Sequence, residues 1–395
     1  MNSLIVGIDA SRNRSGGARA HLQGILEHLN PKDFGITTVH LWSHPQLLAA
    51  LPDYPWLIKH APAPLQRGLL SQLWWQYHTL KHELRRYGCQ MLFTSDASSL
   101  CTFSPAVVLS QDLLSYEPQV RERYPWGWAR LRLWAIGHVQ NRAFRQAQGV
   151  IFLTQYAAQL ILRSCGVLGR WTVIPHGVAP VFIAAGQARS VSTRELARSS
   201  GALERDRPAP TMHCLYISNA AIYKYQWVVI EALAHLRERG HPLTLTLVGG
   251  GAGPAQAKIE AYRAKFDPQG IWVTQHPFVP PTDLITHLTQ ADLFVFASGC
   301  EAFGITLLEA MAVGLPIAAS KRSSISETLG DGGVYFDPEQ ASSIASAIEA
   351  LIVDPALQHS VASRARALAS AYSWSRCANE TWSFIVDTYR QTLHS

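Results

Sequence analysis

The feature that most restricts the fold is a repeated alternation of short, uninterrupted apolar runs with longer amphipathic stretches. In the first half the apolar runs are 4–8, 37–42, 90–94, 106–110, 149–153 and 172–175. In the second half they are 212–217, 243–248, 271–274, 293–297, 316–319 and 334–336. Wholly apolar strands separated by helices form parallel sheets that helices cover on both faces. Because the pattern occurs twice, the sequence predicts an α/β protein with two doubly wound, Rossmann-like domains facing across a cleft.

The two halves are separated by residues 183–210, which are rich in Ala, Ser, Arg and Gly and have little apolar periodicity. Such composition is typical of a linker or a surface excursion. The sequence therefore predicts an N-terminal domain over 1–182 and a C-terminal domain over 211–372. A last helix over 373–395 is predicted to pack back on the N-terminal domain.

Composition narrows the cellular context and the partners. The six cysteines form no CxxC pair, which favours reduced thiols in a cytoplasm and gives no reason to expect structural zinc. No apolar run approaches the ~18 residues of a membrane span. The net charge of +6 is uneven: residues 1–180 carry 17 Lys/Arg and 9 Asp/Glu, and the remaining residues carry 17 and 19. A basic first half indicates an anionic partner: nucleic acid, phospholipid or a phosphorylated substrate.

The segment that most directly indicates chemistry runs from Glu301 to Glu309, with the sequence EAFGITLLE. It follows the apolar run 293–297 and opens a helix, so Glu301 is predicted in the loop and Glu309 one or two turns into the helix. Gly304 lets a ligand approach the backbone, and the free N–H groups of a helix N-terminus bind anions. A carboxylate on each side of a phosphate site suits a nucleotide sugar, which places a diphosphate between sugar and ribose.

This segment, followed by Ala310-Met311-Ala312 and Gly314-Leu315-Pro316, resembles the signature of retaining GT-B glycosyltransferases in family 4, the glycosyl transferases group 1. The resemblance is specific over roughly 212–340 and loose elsewhere. It implies that the C-terminal domain binds the donor and the N-terminal domain lies on the acceptor side. It also implies that Glu301 contacts the donor sugar and Glu309 the ribose hydroxyls. The implied diphosphate contacts come from the start of the helix, at Phe303, Gly304, Ile305 and Thr306.

The resemblance extends to a lysine and to two glycine turns. Lys224 follows the apolar run 212–217, where its compact charge can neutralise a diphosphate. The family pattern has an arginine five residues earlier, but this chain has Asn219, so one cationic contact is absent or comes from elsewhere. Further donor contacts are implied in glycine turns after the runs 4–8 and 243–248, at Gly16, Gly17, Gly249 and Gly250.

Three more positions are candidate sugar or acceptor contacts. Gln111 and Asp112 stand where many relatives have a His-Asp pair; glutamine can hydrogen-bond a sugar hydroxyl but cannot titrate. His176 replaces the asparagine of the family's I-P-N-G-V segment, and we favour a structural role for it. These substitutions leave the identity of the donor sugar open.

The function that the resemblance implies is transfer of a hexose, with retention, from a nucleotide sugar to a glycan or lipid-linked glycan in cell-surface polysaccharide synthesis. No cofactor is expected, since no Asp-x-Asp element stands where a metal is demanded. Two alternatives stay open: a nucleotide-sugar epimerase on the same fold, and a catalytically silent nucleotide-sugar-binding subunit. Asn219 and Gln111 favour the silent subunit. Nucleic acid is not an expected partner, because no recognised binding module is present.

A segment over 121–145 combines arginines with aromatic residues, including Tyr124, Trp126, Trp128 and Trp134. Aromatic rings and guanidinium groups suit the headgroup layer of an anionic membrane. The other interpretation is a core helix whose tryptophans are buried, with Leu131, Leu133 and Ile136 on its inner face. We favour the first, and so predict a cytoplasmic protein peripheral to the inner membrane face.

Overall fold

The computed structural model of the protein describes residues 3–13, 16–123, 127–199 and 211–394. These residues form two parallel sheets with intervening helices, which confirms the predicted α/β class. They group into two compact units. Unit 1 comprises Met1–Gly177 with Ser373–Ser395, and unit 2 comprises Val178–Tyr372.

Unit 1 is built on a seven-stranded sheet of order β3-β2-β1-β4-β5-β6-β7. The strands are β1 (Leu4–Asp9), β2 (Ile36–Trp42), β3 (Leu57–His60), β4 (Met91–Thr94), β5 (Ala106–Leu109), β6 (Gly149–Phe152) and β7 (Trp171–Val173). The helices that connect them are α1 (Gly16–Glu27), α2 (Pro31–Phe34), α3 (Pro45–Ala50), α4 (Leu69–His78), α5 (Leu80–Arg86), α6 (Pro118–Arg123), α7 (Trp128–Gln146) and α8 (Gln155–Cys165).

Unit 2 is built on a six-stranded sheet of order β10-β9-β8-β11-β12-β13. Its strands are β8 (Met212–Ile217), β9 (Leu243–Val248), β10 (Val273–His276), β11 (Leu293–Phe296), β12 (Ile317–Ser320) and β13 (Val334–Phe336). Its helices are α9 (Pro180–Ser199), α10 (Gln226–Glu238), α11 (Pro254–Phe266), α12 (Pro281–Gln290), α13 (Ile305–Val313), α14 (Ile325–Leu329), α15 (Ala341–Val353) and α16 (Pro355–Ala369). The chain then returns to unit 1 as α17 (Trp374–Thr392), which packs against α1.

The strand register shows which helices share a face of the unit 1 sheet. Gly7 packs against Leu84 of α5. Gly7 pairs with Leu92, and Leu92 pairs with Ala106, so these three residues lie on the same face of the sheet. Val108 lies two residues after Ala106, so it is on the same face, and it pairs with Val150. Phe152 lies two residues after Val150, so it is also on this face, where it packs on Phe144 of α7. Helices α4, α5 and α7 therefore cover one face. Helix α17 covers the other, because Phe384 packs on Gly149.

Two segments differ from the sequence-based prediction. Strand β3 was not expected, because its sequence LIKH is short and only half apolar; it forms an edge of the sheet, where such residues are tolerated. The predicted linker 183–210 is helical up to Ser199, as α9, and residues 200–210 lie outside the described part. Helix α9 packs on α13, with Gly186 against the carbonyl of Ala312. This tertiary contact fixes a helix that apolar periodicity alone did not reveal.

Candidate functional site

The predicted site residues of unit 2 lie at the carboxyl edge of its sheet. Strands β8 and β11 are neighbours there, although they are far apart in sequence, because the strand order reverses between them. Open parallel sheets bind ligands in the crevice at such a reversal. The loop that leaves β8 carries Asn219 and Lys224, and the loop that leaves β11 carries Glu301. Distant parts of the sequence thus meet in one place.

Helix α13 starts at this edge. Gly304 precedes its first residue with φ of 87°, a left-handed conformation that side chains disfavour. Ile305 and Thr306 form the first turn, and backbone N–H groups at this position have no helical carbonyl to bind. Phe303 is buried against Tyr372, with ring centroids 5.6 Å apart, and so anchors the turn. The arrangement can bind an anion at the N-terminus of α13.

Lys224 and Glu301 form an ion pair beside this helix start. Lys224 ends a short 3₁₀ turn over Ile222–Lys224, and its side chain is 10% exposed, against 14% for Glu301. The hydroxyl of Tyr216 donates to the Lys224 carbonyl at 2.6 Å and fixes the turn. Sequence reasoning assigned the two residues to different parts of the donor. Each is the other's counter-ion, so neither charge is buried alone.

Three hydroxyl side chains that sequence reasoning missed hold the Glu301 loop through hydrogen bonds to its backbone. Ser323 accepts a hydrogen bond from the Glu301 N–H at 3.0 Å and donates to the Glu301 carbonyl at 2.9 Å. Ser324 donates to the same carbonyl at 2.8 Å, and Thr328 donates to the Phe303 carbonyl at 3.2 Å. The available signal was the Ser323-Ser324 pair just after β12, at the same sheet edge.

Glu309 lies in α13 and is half-buried. Its Oε2 atom is buried and has no hydrogen-bond partner in the described part of the chain. Burial raises the pKa of the Glu309 carboxyl from 4.5 to about 8, because the charged form loses solvation. A buried acceptor without a partner is suited to receive a hydrogen bond from a ligand hydroxyl.

The raised pKa of Glu309 predicts how stability depends on pH. The unfolded carboxyl releases its proton near pH 4.5, whereas the folded one holds it up to about pH 8. The unfolded state therefore gains stability as pH rises between these values, and folding stability falls. We expect the Tm of the donor-free protein to fall more steeply between about pH 5 and about pH 9 than the Tm of Glu309→Gln. Parallel Tm profiles in differential scanning calorimetry would contradict this assignment.

The glycine turn after β9 lies close to the loop after β8. Gly249 has φ of 104°, and a side chain there would collide with the Ser218 carbonyl. Gly250 accepts a hydrogen bond from the Ala220 N–H at 3.2 Å through its carbonyl. Asn219 sits between these contacts and is exposed, so its amide is available to a ligand. The backbone conformation of this turn therefore requires glycine at position 249, independently of any contact with a donor.

In unit 1, a buried polar network holds the loop between β1 and α1. Asp9 accepts from the hydroxyls of Ser11 at 2.6 Å and Ser99 at 2.7 Å and from the Gln76 amide at 2.9 Å. Gly16 and Gly17 begin α1 at the end of this loop, and a side chain on Gly16 would meet no atom of the described residues within 4 Å apart from its chain neighbours. A ligand could therefore approach that backbone closely.

The other unit 1 candidates differ in their availability. The Gln111 amide nitrogen already donates to the Ser95 carbonyl at 2.9 Å, and Asp112 is exposed with Oδ1 accepting from the Leu114 N–H at 2.8 Å. His176 is buried beside His21, with 3.1 Å between their Nδ1 atoms, and also contacts Trp374. Burial lowers the pKa of His176 well below its usual value. We therefore assign His176 to packing and withdraw it as a sugar contact.

Comparison with known proteins finds a family match in the second half of the chain. Residues 207–368 match the family model described as glycosyl transferases group 1. The D-inositol 3-phosphate glycosyltransferase of Arthrobacter sp. (strain FB24) is 30% identical over 189 residues, which are 46% of this chain and 45% of the relative. The chain therefore aligns with less than half the length of that curated relative.

Solved structures of similar fold extend over the whole chain. A sucrose-phosphate synthase from Thermosynechococcus elongatus aligns with a TM-score of 0.75 and 20% identity, covering 99% of both chains. Anabaena HepE in complex with UDP-glucose aligns with a TM-score of 0.66 and 19% identity, also covering 99% of both. At these identities the likeness shows the fold alone. The chain thus has the GT-B fold, and residues 207–368, which lie within unit 2, match the glycosyl transferases group 1 family.

Proposed function

We propose that the protein is a retaining hexosyltransferase that moves a sugar from a nucleotide-sugar donor to a glycan or lipid-linked glycan of the cell surface. The observation that carries the proposal is the buried Lys224–Glu301 pair at the N-terminus of α13, with the buried carboxylate of Glu309 farther along the same helix. The three side chains supply one cation and two carboxyl groups, and α13 supplies a helix N-terminus. A nucleotide sugar presents the diphosphate and hydroxyl groups that such a set can bind.

The roles follow from charge. When a diphosphate binds at the start of α13, Lys224 gains a second anionic partner, and the helix N-terminus adds its partial positive charge. Both stabilise the negative charge that develops on the leaving phosphate as the glycosidic bond breaks. Glu301 then faces the sugar, where its carboxylate orients hydroxyl groups and stabilises positive charge at the reacting carbon.

Retention follows if the acceptor hydroxyl enters on the face that the diphosphate leaves. The leaving phosphate oxygen then takes the hydroxyl proton, so no side chain needs to act as nucleophile or base. No metal is expected, and transfer should therefore be insensitive to EDTA.

The donor is the part of this proposal that can be tested first. Anabaena HepE, a protein of the same fold, was solved with UDP-glucose, which supports a nucleotide-sugar donor for this chain. We expect one of UDP, GDP and ADP, with one of its sugars, to raise the Tm of the pure protein, because a ligand that binds only the folded state stabilises it by mass action. A flat Tm across all three nucleotide families would contradict the donor assignment.

Product analysis separates transfer from its alternatives. Incubation of the stabilising nucleotide sugar with candidate acceptors should release nucleoside diphosphate and form a glycoside with the donor's anomeric configuration, as read by NMR. Free epimerised sugar would indicate an epimerase. Donor binding without turnover on any acceptor would indicate a silent subunit.

A further inference from the structure

Two helices of unit 1 expose large apolar side chains. We call this set the α4–α7 surface; it consists of Leu69, Leu70, Trp74, Tyr77, Trp128, Leu131 and Trp134. Leu70 is 82% exposed and Trp128 85%, and the others are about half exposed. Contiguous exposed apolar side chains usually mark an interaction site, whereas isolated ones need no explanation. Leu131 and Trp134 lie on the solvent side, so the core-helix interpretation of this segment is wrong for both; Leu133 is buried as it requires, and Ile136 is half-buried.

The exposed apolar residues of α4 form one stripe and those of α7 form another, and both stripes belong to one face of unit 1. Helix α4 lies over β1, because Gln76 reaches Asp9 at 2.9 Å, and α7 lies over β6, because Phe144 packs on Phe152. The register places these contacts on the same side of the sheet. Strands β1 and β6 are three steps apart in the sheet order, which at about 4.8 Å a step separates the stripes by roughly 14 Å.

Both stripes also lie toward the carboxyl edge of that sheet. Helix α4 follows β3 and α7 follows β5, and a helix that connects parallel strands starts at the carboxyl edge and runs back. The exposed side chains of α7 belong to its first two turns, and Leu69 and Leu70 begin α4. The loop that carries Gly16 and Gly17 leaves β1 at the same edge.

The segments that carry the α4–α7 surface have charges of one sign. Residues 54–82 and 127–146 contain no aspartate or glutamate, and Arg67, Arg132 and Arg142 are exposed among them. The next acidic residue, Glu83, faces inward and accepts hydrogen bonds from the indole N–H groups of Trp42 at 2.6 Å and Trp75 at 3.3 Å. Exposed apolar and cationic groups therefore stand together on α7, and the exposed Arg67 stands two residues before α4; the exposed Glu122 precedes Trp128 by six residues.

We propose that the α4–α7 surface docks unit 1 on an anionic lipid bilayer. Tryptophan and tyrosine rings suit the headgroup layer, and each arginine near an anionic leaflet adds attraction to lipid phosphate. A second copy of the chain fits less well, because a twofold interface would set the arginines of α7 against one another, and neither α4 nor α7 carries a carboxylate to pair with them. The expectation from residues 121–145 is thereby extended to α4; Tyr124 and Trp126 lie outside the described residues.

The inference that the acceptor is membrane-bound rests on the proposed transferase function. The inference that the α4–α7 surface binds vesicles does not rest on that function. None of the helices in the described ranges is long and apolar enough to cross a bilayer. Docking by the α4–α7 surface would bring the Gly16–Gly17 edge of unit 1 near the headgroups. The acceptor class that this favours is a glycan carried on a lipid.

Vesicle co-sedimentation of the full-length chain tests the surface. Three double variants change it: Leu70→Ala with Trp74→Ala on α4, Trp128→Ala with Trp134→Ala on α7, and Arg132→Glu with Arg142→Glu. The control is Ile271→Ala with Phe278→Ala, two similarly exposed apolar residues of unit 2. We expect wild type and control to bind phosphatidylcholine vesicles that contain phosphatidylglycerol at low salt, and to bind pure phosphatidylcholine weakly. Each apolar pair should lower binding by about tenfold or more, and the arginine pair should remove the preference for phosphatidylglycerol.

Three results would overturn the proposal: no binding of the wild type to phosphatidylglycerol vesicles, undiminished binding of the α4 variant, or a dimer in light scattering that the α7 variant dissociates. The last result would assign the surface to a second copy. Nucleoside diphosphate binding, measured by Tm without vesicles, should be the same in all four variants. Loss of transfer with intact vesicle binding would count against the proposed function and not against the surface.

Discussion

Replacing Glu301 with glutamine is expected to lower the turnover number by about 100- to 1,000-fold while nucleoside diphosphate still binds. The substitution keeps the size of the side chain and its ability to hydrogen-bond, and removes only its charge. Serines 323 and 324 hold the backbone of residue 301 and not its side chain, so the loop should keep its position. The loss would therefore report the electrostatic contribution of the carboxylate to the reaction.

Glu349→Gln is the matched control for this variant. Glu349 also lies in unit 2 and pairs with Arg239 at 2.8 Å, but on the surface, where ion pairs contribute little. Its kcat should be near that of the wild type. The variant Glu301→Gln leaves the buried Lys224 without its counter-ion, so its Tm should be lower than that of the wild type and should recover on adding nucleoside diphosphate. Turnover of Glu301→Gln within a few-fold of the control would refute the role of Glu301.

Replacing Lys224 with alanine is expected to weaken donor binding by about 10- to 100-fold, the usual loss for a charge-assisted hydrogen bond, and replacing Glu309, whose carboxyl holds its proton up to about pH 8, by about 3- to 10-fold. The two losses should have different origins. Glu309→Ala removes the buried acceptor proposed for the ribose hydroxyls, and Lys224→Ala removes the cation proposed for the diphosphate. Titration calorimetry with nucleoside diphosphate measures both.

Analogues of the nucleotide separate the two contacts. Wild type should prefer a ribonucleoside diphosphate to its 2′,3′-dideoxy form, and Glu309→Ala should lose that preference while Lys224→Ala keeps it. Conversely, wild type should prefer the diphosphate to the nucleoside, and Lys224→Ala should lose more of this preference than Glu309→Ala. Unchanged affinities in both variants would show that the donor does not bind at α13.

Much of the fold was readable from the sequence because parallel strands are buried on both faces. Twelve of the thirteen strands in the described part coincide with predicted apolar runs, within about three residues at either end. The exception, β3, is an edge strand whose lysine and histidine break the apolar run. Helix α9 was missed because its contact with α13 decides its structure, and such a contact leaves no periodic signal in a segment rich in Ala, Ser and Arg.

The candidate site likewise has features that the sequence predicts and features that only the tertiary structure shows. The sequence by itself determined the α/β class, the strand-to-helix turn at Gly304 and the residue types that suit a diphosphate, since these depend on local pattern and chemistry. Only the tertiary structure decided that Lys224 and Glu301 share one buried ion pair, that Ser323 and Ser324 hold the Glu301 backbone, and that His176 packs beside His21. It also decided which face of α7 meets water. These facts depend on contacts between residues far apart in the chain, and a sequence pattern does not record which distant groups fill the space beside a given side chain.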